Sequence, residues 1–344
     1  MTAILVTGGA GFIGFNFVRD LLVADRDARI TVLDKLTYAG NPQSIDQIAG
    51  EPRFSFVRGD IGDRALVREL LTNQRPDTIV HFAAESHVDR SIDGPEDFIQ
   101  TNVVGTFHLL EEARRYLAAC APPSFRFVHV STDEVFGALG STGEFREGSP
   151  YAPRSPYSAS KAASDHLVQA YVHTYNLPAI TTNCSNNYGP YQFPEKLIPL
   201  TIANAIDGRG LPVYGKGENV RDWIYVTDHC AAIRAVLARG RPGDTYLIGG
   251  RSERKNLDVV LAICDLLDDL RPVPRPYRDL IEFVADRPGH DFRYAIDPSK
   301  CERELGWRAE VSFAEGIRKT VEWYLANRAW TDAIRSGAYR RDPR

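Results

Sequence analysis

The sequence has few of the features that mark secreted, metal-binding or membrane-spanning proteins. Its five cysteines are an odd number with no C-x-x-C pair, which predicts reduced thiols in a reducing compartment. Its eight histidines form no H-E-x-x-H pattern, so we expect no metal site. A strand pattern begins at the N-terminus and no apolar run approaches the length of a membrane span. We therefore expect a cytoplasmic protein with no membrane partner.

An excess of basic charge is also missing. The 41 Lys and Arg against 45 Asp and Glu give a net charge of −4, which argues against a nucleic-acid partner. The 344 residues are 43% hydrophobic and 25% charged, with no low-complexity run, which predicts one large globular domain with a second lobe. Any anionic ligand must then be held by local arginines.

A glycine-rich turn follows the first apolar run. The β-rich segment Ala3–Thr7 leads into Gly8-Gly-Ala-Gly11-Phe-Ile-Gly14, and a helical pattern continues through Leu22. This order predicts the strand, turn and helix of a dinucleotide site, where backbone approaches a pyrophosphate and the helix N-terminus holds its charge. Glycine-rich turns also occur in unrelated loops, so the flanking strand and helix carry the prediction.

An acidic residue ends the second predicted strand. The run Arg29–Leu33 stops at Asp34, twenty residues after Gly14. A carboxylate there accepts hydrogen bonds from a ribose 2′-hydroxyl and repels a 2′-phosphate, which favours NAD over NADP. The neighbouring Lys35 weakens that exclusion without reversing it.

Strand and helix patterns alternate along the first half of the chain. Further β-rich runs are Phe54–Arg58, Thr78–Phe82 and Phe125–Val130, with helical stretches at Arg64–Gln74 and Phe98–Leu117. This alternation predicts an α/β fold with a doubly wound, Rossmann-type parallel sheet. Ligands of such sheets lie beyond the carboxyl ends of the strands, so the residues that follow each run are candidates.

The candidates at the strand ends differ in how much chemistry they carry. Asp60, Ile61, Ala83 and Ala84 suit an adenine and a close backbone approach, although plain loop chemistry is an equal alternative. The segment Ser131–Glu134 places two adjacent carboxylates beside hydroxyls. They can act as an acid and a base if their surroundings separate their pKa values, or the segment can be a simple helix cap.

A tyrosine and a lysine lie four residues apart in a predicted helix. Tyr157 and Lys161 leave one helix face about one turn apart, so the cation can lie near the phenol. A nearby cation favours the phenolate and lowers the pKa of the tyrosine, which makes it a usable base. By itself the spacing also fits an ordinary amphipathic helix after Pro156.

Together these features resemble the extended short-chain dehydrogenase/reductase superfamily, and within it the dTDP-glucose 4,6-dehydratase family. The resemblance runs from residue 4 to about 339 and rests on six further stretches. They are Leu33–Asn41, Ala83–Ile92, Ser131–Val135, Tyr157–Lys161, Asn183–Pro190 and Asp286–Asp291. The glycine turn and the Tyr/Lys pair mark only the superfamily, whereas the Thr-Asp-Glu triplet separates dehydratases from epimerases.

The resemblance implies a lyase that uses NAD, acts on dTDP-glucose and forms a homodimer. It implies a Rossmann-type NAD domain over residues 1–184 and a mainly nucleotide-sugar-binding lobe over 185–344, some segments of which return to the first domain. The implied catalytic residues are Thr132, Asp133, Glu134, Tyr157 and Lys161. The implied cofactor residues are Gly8, Gly11, Phe12, Ile13, Gly14, Asp34, Lys35, Leu36, Thr37, Asp60, Ile61, Phe82, Ala83, Ala84, Ser86, Thr101, Tyr157, Lys161 and Asn187.

The second half of the chain supplies the implied substrate site. Its residues are Ser86, Thr132, Asn186, Lys196, Leu197, Pro212, Tyr214, Arg221, Asn256, Arg287 and His290. Arg221 and Asn256 are implied to hold the diphosphate, a task for which arginine is well suited. Apart from the resemblance, Asn256 can equally be a helix cap.

One departure from the family and two rival functions remain open at this stage. Phe136 stands where the family usually has tyrosine, which removes a hydroxyl near the triplet.

A nucleotide-sugar 4-epimerase needs the same cofactor and the Tyr/Lys pair, but has no use for two carboxylates. A non-catalytic NAD sensor has no chemical need for all four of Tyr157, Lys161, Asp133 and Glu134. The helix Phe313–Arg328 is predicted to be structural and residues 340–344 a loose tail.

Overall fold

The structure of the protein is a computed structural model that describes residues 2–340. The strands are β1 (Ala3–Thr7), β2 (Arg29–Asp34), β3 (Phe54–Arg58), β4 (Thr78–His81), β5 (Arg126–Thr132), β6 (Ala179–Cys184), β7 (Asn186–Tyr188), β8 (Leu211–Tyr214), β9 (Val220–Tyr225), β10 (Thr245–Ile248), β11 (Glu253–Lys255) and β12 (Ile281–Val284). The helices are α1 (Phe12–Ala24), α2 (Pro42–Asp46), α3 (Arg64–Gln74), α4 (Val88–Asp93), α5 (Glu96–Phe98), α6 (Thr106–Ala119), α7 (Pro156–Tyr175), α8 (Leu197–Ile206), α9 (Val226–Arg239), α10 (Asn256–Leu270), α11 (Ser299–Leu305), α12 (Phe313–Ala326) and α13 (Arg328–Arg335).

A sheet of seven parallel strands forms the centre of the molecule. Its order is β10-β6-β5-β4-β1-β2-β3, so the chain starts in the middle, winds to one edge and then to the other. Every pair of neighbours in the sheet is parallel. This order is that of the doubly wound dinucleotide-binding fold, and the predicted fold class is confirmed.

Helices cover both faces of the sheet because its strands are apolar on both sides. On one face α1, α9 and α11 bury residues such as Val18, Ile233 and Cys301. On the other face α3, α6 and α7 bury Leu71 and Leu109. Parallel strands buried on both faces read as continuous apolar runs, which is why the sequence identified them.

Chain segments beyond residue 184 form the second lobe and also extend the first. Two small sheets, β11-β9-β7 and β12-β8, belong to that lobe, together with α8, α10 and α12. Strand β10 instead joins the edge of the central sheet by pairing with β6. The chain thus returns to the first lobe after forming most of the second.

The elements differ from the sequence prediction mainly at their ends. Strand β5 runs on to Thr132, so two residues predicted to follow the strand lie at its end. The predicted helix over 98–117 is a continuous helical segment with a π-helical stretch at Ile99–Gly105 between α5 and α6. The predicted C-terminal helix is divided between α12 and α13. Of the predicted tail, Arg340 ends a short 3₁₀ turn and residues 341–344 lie outside the described part.

Within residues 2–340, no helix combines the length and apolar character that crossing a membrane requires. All five cysteines are free thiols, of which only Cys120 is exposed.

Candidate active site

The glycine turn between β1 and α1 forms a cradle that side chains would fill. Gly8 has φ +74°, and a Cβ there would lie 2.5 Å from the backbone nitrogen of Ala83. A Cβ on Gly14 would meet the carbonyl oxygen of Gly8. Helix α1 begins after Gly11 with no side-chain cap and no acidic residue in its first turn. Its first N–H groups are therefore available to an anion such as a pyrophosphate.

Asp34, at the end of β2, fixes this turn. One carboxylate oxygen accepts the Ala10 N–H at 2.9 Å and the other accepts the Leu36 N–H at 2.8 Å. Burial raises the pKa of Asp34, while these two backbone bonds act in the opposite direction. The carboxylate still borders the cleft, so its second lone pairs can accept from a ribose hydroxyl.

A single cleft at the carboxyl ends of the strands unites most of the predicted cofactor residues. Those that line it are Gly8, Gly11, Phe12, Ile13, Gly14, Asp34, Lys35, Thr37, Asp60, Ile61, Phe82, Ala83, Ala84, Ser86, Thr101, Tyr157, Lys161 and Asn187. Leu36 does not line the cleft. Its φ is +55°, its N–H is bound to Asp34, and its side chain packs against the core of the second lobe.

Tyr157 and Lys161 lie where the cleft meets the second lobe. Helix α7 begins at Pro156, and Ser155 caps it through a reciprocal bond with Ser158. This capping box fixes the first turn, which carries Tyr157. Both side chains are nearly buried, at 8% and 4% exposure. The Lys161 ammonium donates to the Val130 carbonyl oxygen at 3.0 Å.

The chain alone does not make Tyr157 a phenolate. Burial and the charge of Glu134 raise the pKa of Tyr157 well above its ordinary value, against a hydrogen bond from Thr132 that lowers it. Burial also disfavours the charged form of Lys161, and because that form is a cation, burial lowers its pKa. That Lys161 lowers the pKa of Tyr157 stays a prediction, and Tyr157 in the chain without ligands is a neutral phenol.

The triplet Thr132-Asp133-Glu134 occupies the end of β5 and the 3₁₀ turn after it. The Thr132 hydroxyl accepts the Glu134 N–H at 3.3 Å and so caps the 3₁₀ turn, as the helix-cap alternative predicted. This cap is compatible with an acid and base role for the two carboxyl groups. Thr132 and Glu134 line the cleft, whereas Asp133 lies just behind it at 1% exposure. One Asp133 oxygen accepts from the Thr132 hydroxyl at 3.4 Å, and the other has no hydrogen-bond partner in the described part of the chain.

The two carboxyl groups are held in different electrostatic surroundings. Burial, together with the charges of Glu134 and Asp222, raises the pKa of Asp133 well above its ordinary value. Burial also raises the pKa of Glu134, but three cations act against it. Asp133 is therefore the better proton donor and Glu134 the better proton acceptor, which is the separation that acid and base chemistry needs.

The three cations that act on Glu134 come from the second lobe. They are Arg287, Lys196 and Arg221. Lys196 also donates to the Ser86 carbonyl oxygen at 2.8 Å. Arg221 is buried, donates to the Asp291 carbonyl oxygen at 2.9 Å, and lies over the Tyr294 ring at 4.3 Å from its centroid. Planar, fixed guanidinium groups at the mouth of a cleft suit a diphosphate.

The remaining predicted substrate residues fall into two groups. Ser86, Thr132, Asn186 and Lys196 line the cleft itself. The others do not line it and belong to neighbouring segments of the second lobe: Leu197, Pro212, Tyr214, Arg221, Asn256, Arg287 and His290.

A contact between the lobes joins part of the outer group. Asp89, on α4, receives the Arg287 guanidinium at 3.1 Å and the Tyr214 hydroxyl at 3.3 Å. The Tyr214 and His290 rings are 5.9 Å apart, and the His290 ring contacts the Asp286 carboxylate at 2.6 Å. This closes the segment after β12 over the outer end of the cleft.

Asn256 is not a helix cap. It is the first residue of α10, whose cap is Lys255 with no side-chain cap bond. Its own N–H is bound to the Asn219 carbonyl oxygen, while its buried side-chain oxygen has no hydrogen-bond partner among residues 2–340. An orphaned buried amide oxygen at a helix start is consistent with a ligand contact.

Phe136 points away from the cleft. It is buried in a small apolar cluster, stacked on Phe145 at 5.2 Å and edge-on to Tyr151 at 5.1 Å. The missing hydroxyl therefore leaves no gap among the residues that line the cleft.

Sequence reasoning missed several lining residues. Cys184 ends β6 and Ser185 follows it, so the strand-end rule could have found them. Glu85 and Glu195 also line the cleft, and Glu195 pairs with Arg90 at 3.1 Å. No local pattern marks Glu195, because the chain must fold back over the first lobe to bring it there.

This geometry defines the class. A glycine cradle without side chains, a free helix N-terminus and an acid at the end of β2 fit NAD, and the Tyr/Lys pair completes the site of an extended short-chain dehydrogenase/reductase. The family model described as GDP-mannose 4,6 dehydratase matches residues 5–320. The chain belongs to this family of nucleotide-sugar dehydratases, and dTDP-glucose 4,6-dehydratases are among the relatives that it resembles over nearly its full length.

The relatives support the finer placement. A dTDP-glucose 4,6-dehydratase of Xanthomonas campestris pv. campestris is 60% identical over 99% of this chain and 98% of its own length. A crystal structure of the Streptomyces venezuelae dTDP-glucose 4,6-dehydratase with NAD bound is 49% identical, covers 97% of this chain and 100% of that one, and has a TM-score of 0.89.

An epimerase shares the fold at lower identity. The UDP-glucose 4-epimerase of Thermus thermophilus, in complex with NAD, is 29% identical and covers 95% of this chain and 100% of that one, with a TM-score of 0.84. The fold alone therefore does not separate dehydratases from epimerases, and the residues at the end of β5 must do so.

Proposed function

We propose that the protein is an NAD-dependent dTDP-glucose 4,6-dehydratase that forms dTDP-4-keto-6-deoxy-glucose and water. The observation that carries this is the position of Asp133 and Glu134. The first is a buried acid behind Thr132 and the second borders the cleft that Tyr157 also lines. An epimerase has no step that needs both carboxyl groups.

The chain offers NAD a complete set of contacts. The glycine turn and the start of α1 would hold the pyrophosphate, and Asp34 would accept from the adenosine ribose. The cleft then continues to Tyr157 and Lys161, where the nicotinamide belongs. When bound, NAD supplies the hydride acceptor for carbon 4 of the sugar and the hydride donor for carbon 6.

Tyr157 and Thr132 serve the first step. Tyr157 takes the proton of the 4-hydroxyl, and the Thr132 hydroxyl, which lines the same cleft, holds the oxygen that becomes a ketone. The positive charge of Lys161 is required because burial opposes the phenolate. The ketone at carbon 4 then makes the proton on carbon 5 acidic.

Glu134 and Asp133 serve the elimination. Glu134 takes the carbon 5 proton, and the cations around it keep its carboxylate available. Asp133, kept protonated by burial, gives its proton to the 6-hydroxyl, which leaves as water. After hydride reaches carbon 6, a proton returns to carbon 5, so the reaction is redox-neutral overall.

The substrate diphosphate is assigned to the cations of the second lobe. Arg221 and Arg287 present guanidinium groups near Glu134, and the side-chain amide of Asn256 would donate to a phosphate oxygen through its nitrogen, since its oxygen can only accept. Lys196, Leu197, Pro212 and Tyr214 surround the nucleoside in this proposal. His290 and Asn186 complete the contacts, with Asn186 at the sugar.

The function is tested by incubating the protein with dTDP-glucose and measuring the alkali-absorbing keto-sugar. A dehydratase gives this product, an epimerase gives dTDP-galactose without it, and an NAD sensor gives neither. With deuterium on carbon 4, the label should reappear on carbon 6 of the same molecule. Label that stays on carbon 4 would favour the epimerase.

Variants separate the two steps. Glu134→Gln and Asp133→Asn should accumulate bound NADH and the 4-keto sugar while eliminating water about 10²- to 10⁴-fold more slowly. Tyr157→Phe should accumulate neither. Absorbance at the NADH band in a single turnover measures this. Failure of both carboxyl variants to form NADH would contradict their assignment to elimination.

Assembly, compartment and domain limits complete the proposal. We place the dimer contact on the helices around α6 and α7, where Ile99, Phe107 and Tyr175 are exposed at 45%, 37% and 46%, which light scattering can test. Five free thiols support a cytoplasmic location. We also propose an NAD domain over residues 1–184 and a mainly substrate-binding lobe over residues 185–344. The pairing of β10 with β6 supports the return of part of the second segment to the first domain.

A further inference from the structure

A buried carboxylate lies on the same face of α7 as the two catalytic side chains. Tyr157, Lys161 and Asp165 follow one another at intervals of four residues, so each is about one turn, roughly 6 Å, beyond the last. Asp165 has a side-chain exposure of 2%. The reaction assigned above uses Tyr157 and Lys161 but has no step for Asp165.

Asp165 is held by donors from three other segments. Its Oδ1 accepts from His129 Nε2 on β5 at 3.0 Å. Its Oδ2 accepts from the Tyr151 hydroxyl and from Asn183 Nδ2 on β6, both at 2.9 Å. The same Asn183 nitrogen donates to the Thr132 carbonyl oxygen at 3.1 Å. The carboxylate therefore cannot move without disturbing the strand ends that carry the active site.

The charges around it make Asp165 the fixed anion of this region. Burial raises the pKa of Asp165, but the hydrogen bond from His129 and the charge of Lys161 act against burial, and the pKa lies below its ordinary value. Burial lowers the pKa of Lys161, and the charge of Asp165 is the largest influence acting against that. Asp133, by contrast, is kept protonated.

We propose that Asp165 is a positioning residue for the dehydratase reaction. Its carboxylate is the buried negative charge, one helix turn from Lys161, that keeps Lys161 an ammonium ion while the ammonium donates to the Val130 carbonyl oxygen. Buried charges require such a partner, because an isolated ammonium in an apolar interior loses its proton instead. The proposal rests on the function proposed above.

Other titratable groups at this level of α7 do not replace Asp165. They are His81 on β4, His129 on β5, Cys184 on β6, Tyr157 on α7, and Asp133, Glu134 and Tyr151 from the segment between β5 and α7. Burial lowers the pKa of both histidines and raises that of Cys184 to about 12, so these three are neutral near pH 7. Glu134 borders the cleft, burial raises its pKa, and the charges that act on it most strongly are the cations of the second lobe.

The test is Asp165→Asn, with Asp165→Ser as a second neutral variant. Loss of the anion removes support for the ammonium form, so Lys161 should lose its proton at a lower pH. The alkaline limb of the rate of bound NADH formation from dTDP-glucose should move down by about one pH unit, with a smaller effect below neutrality.

A direct titration makes the test independent of catalysis. The chain has seven lysines, so the Lys161 ε-carbon can be followed by ¹³C NMR and assigned by its loss in Lys161→Met. Its titration midpoint should fall in both neutral variants. If the parent protein fails to convert dTDP-glucose, the proposed function is wrong, while this titration still decides the role of Asp165.

Tyr151→Phe is the matched control. It removes one hydrogen bond to Asp165 but leaves the charge, so both the alkaline limb and the Lys161 titration should stay within about 0.3 pH unit of the parent. A folded Asp165→Asn or Asp165→Ser protein with an unchanged Lys161 titration would overturn the proposal. So would an equal shift in Tyr151→Phe, or failure of both neutral variants to fold, because either would assign Asp165 a structural role only.

Discussion

Asp34 should stabilise the protein itself as well as bind the cofactor. In Asp34→Ala, the N–H groups of Ala10 and Leu36 lose the carboxylate that accepts them at 2.9 and 2.8 Å. A hydrogen bond to a charged acceptor contributes about 1.5–3 kcal/mol, and burial of the carboxylate reduces its gain, so the lower figure applies. Two such bonds imply a loss of about 3 kcal/mol in the free energy of unfolding.

The loss should be visible in thermal unfolding without NAD. Unfolding entropy of about 2.1 cal/mol/K per residue converts 3 kcal/mol into a fall in Tm of about 4 °C for a chain of 344 residues. The assay is calorimetry of protein from which the nucleotide has been removed, repeated with NAD. Added NAD should raise the Tm of the parent more than that of the variant, because a ribose contact is also lost.

Asp60→Ala provides the matched control. Asp60 follows β3 in the same cleft, but its carboxylate is 39% exposed and pairs with Lys35 at 2.7 Å on the surface. The carboxylate also accepts the Gly62 N–H at 2.8 Å. An exposed pair contributes about 0–1 kcal/mol and this single bond at a partly exposed carboxylate about 1 kcal/mol, so the Tm without NAD should fall by no more than about 3 °C, less than in Asp34→Ala. An unchanged Tm in nucleotide-free Asp34→Ala would refute the reasoning, and would leave Asp34 as a ligand contact alone.

Two further predictions concern the catalytic and substrate cations. Lys161→Met should lower the rate of sugar oxidation about 10²- to 10⁴-fold at pH 7 and recover partly at higher pH, since burial raises the pKa of Tyr157 and only alkali can then form the phenolate. An unchanged pH profile of NADH formation would count against that role. Arg221→Lys should raise the KM for dTDP-glucose about tenfold or more with a smaller change in kcat, because lysine cannot reproduce the bonds to the Val220 and Asp291 carbonyl oxygens. Steady-state kinetics measure this, and an unaltered KM would remove Arg221 from the diphosphate site.

Patterns among neighbouring residues in the sequence were enough to predict the strands and helices of the first lobe and the candidate catalytic residues. A continuous apolar run located the buried strand β1, a β-rich run located the edge strand β3, both with their observed bounds, and the glycine turn fixed where the first helix starts. A spacing of four residues was enough to place Tyr157 and Lys161 on one helix face. These features depend on neighbours along the chain, which the sequence displays directly.

Only the tertiary structure decided how the two carboxyl groups of the triplet differ. The sequence shows Asp133 and Glu134 only as two adjacent acidic residues. In the structure β5 continues to Thr132, and the 3₁₀ turn after it buries Asp133 while leaving Glu134 at the cleft. The cations that act on Glu134 come from residues 196, 221 and 287. These cations reach Glu134 only because the second lobe folds back onto the first. The pKa of a carboxyl group depends on its burial and on its distance in space from other charges, and separation along the chain does not determine either.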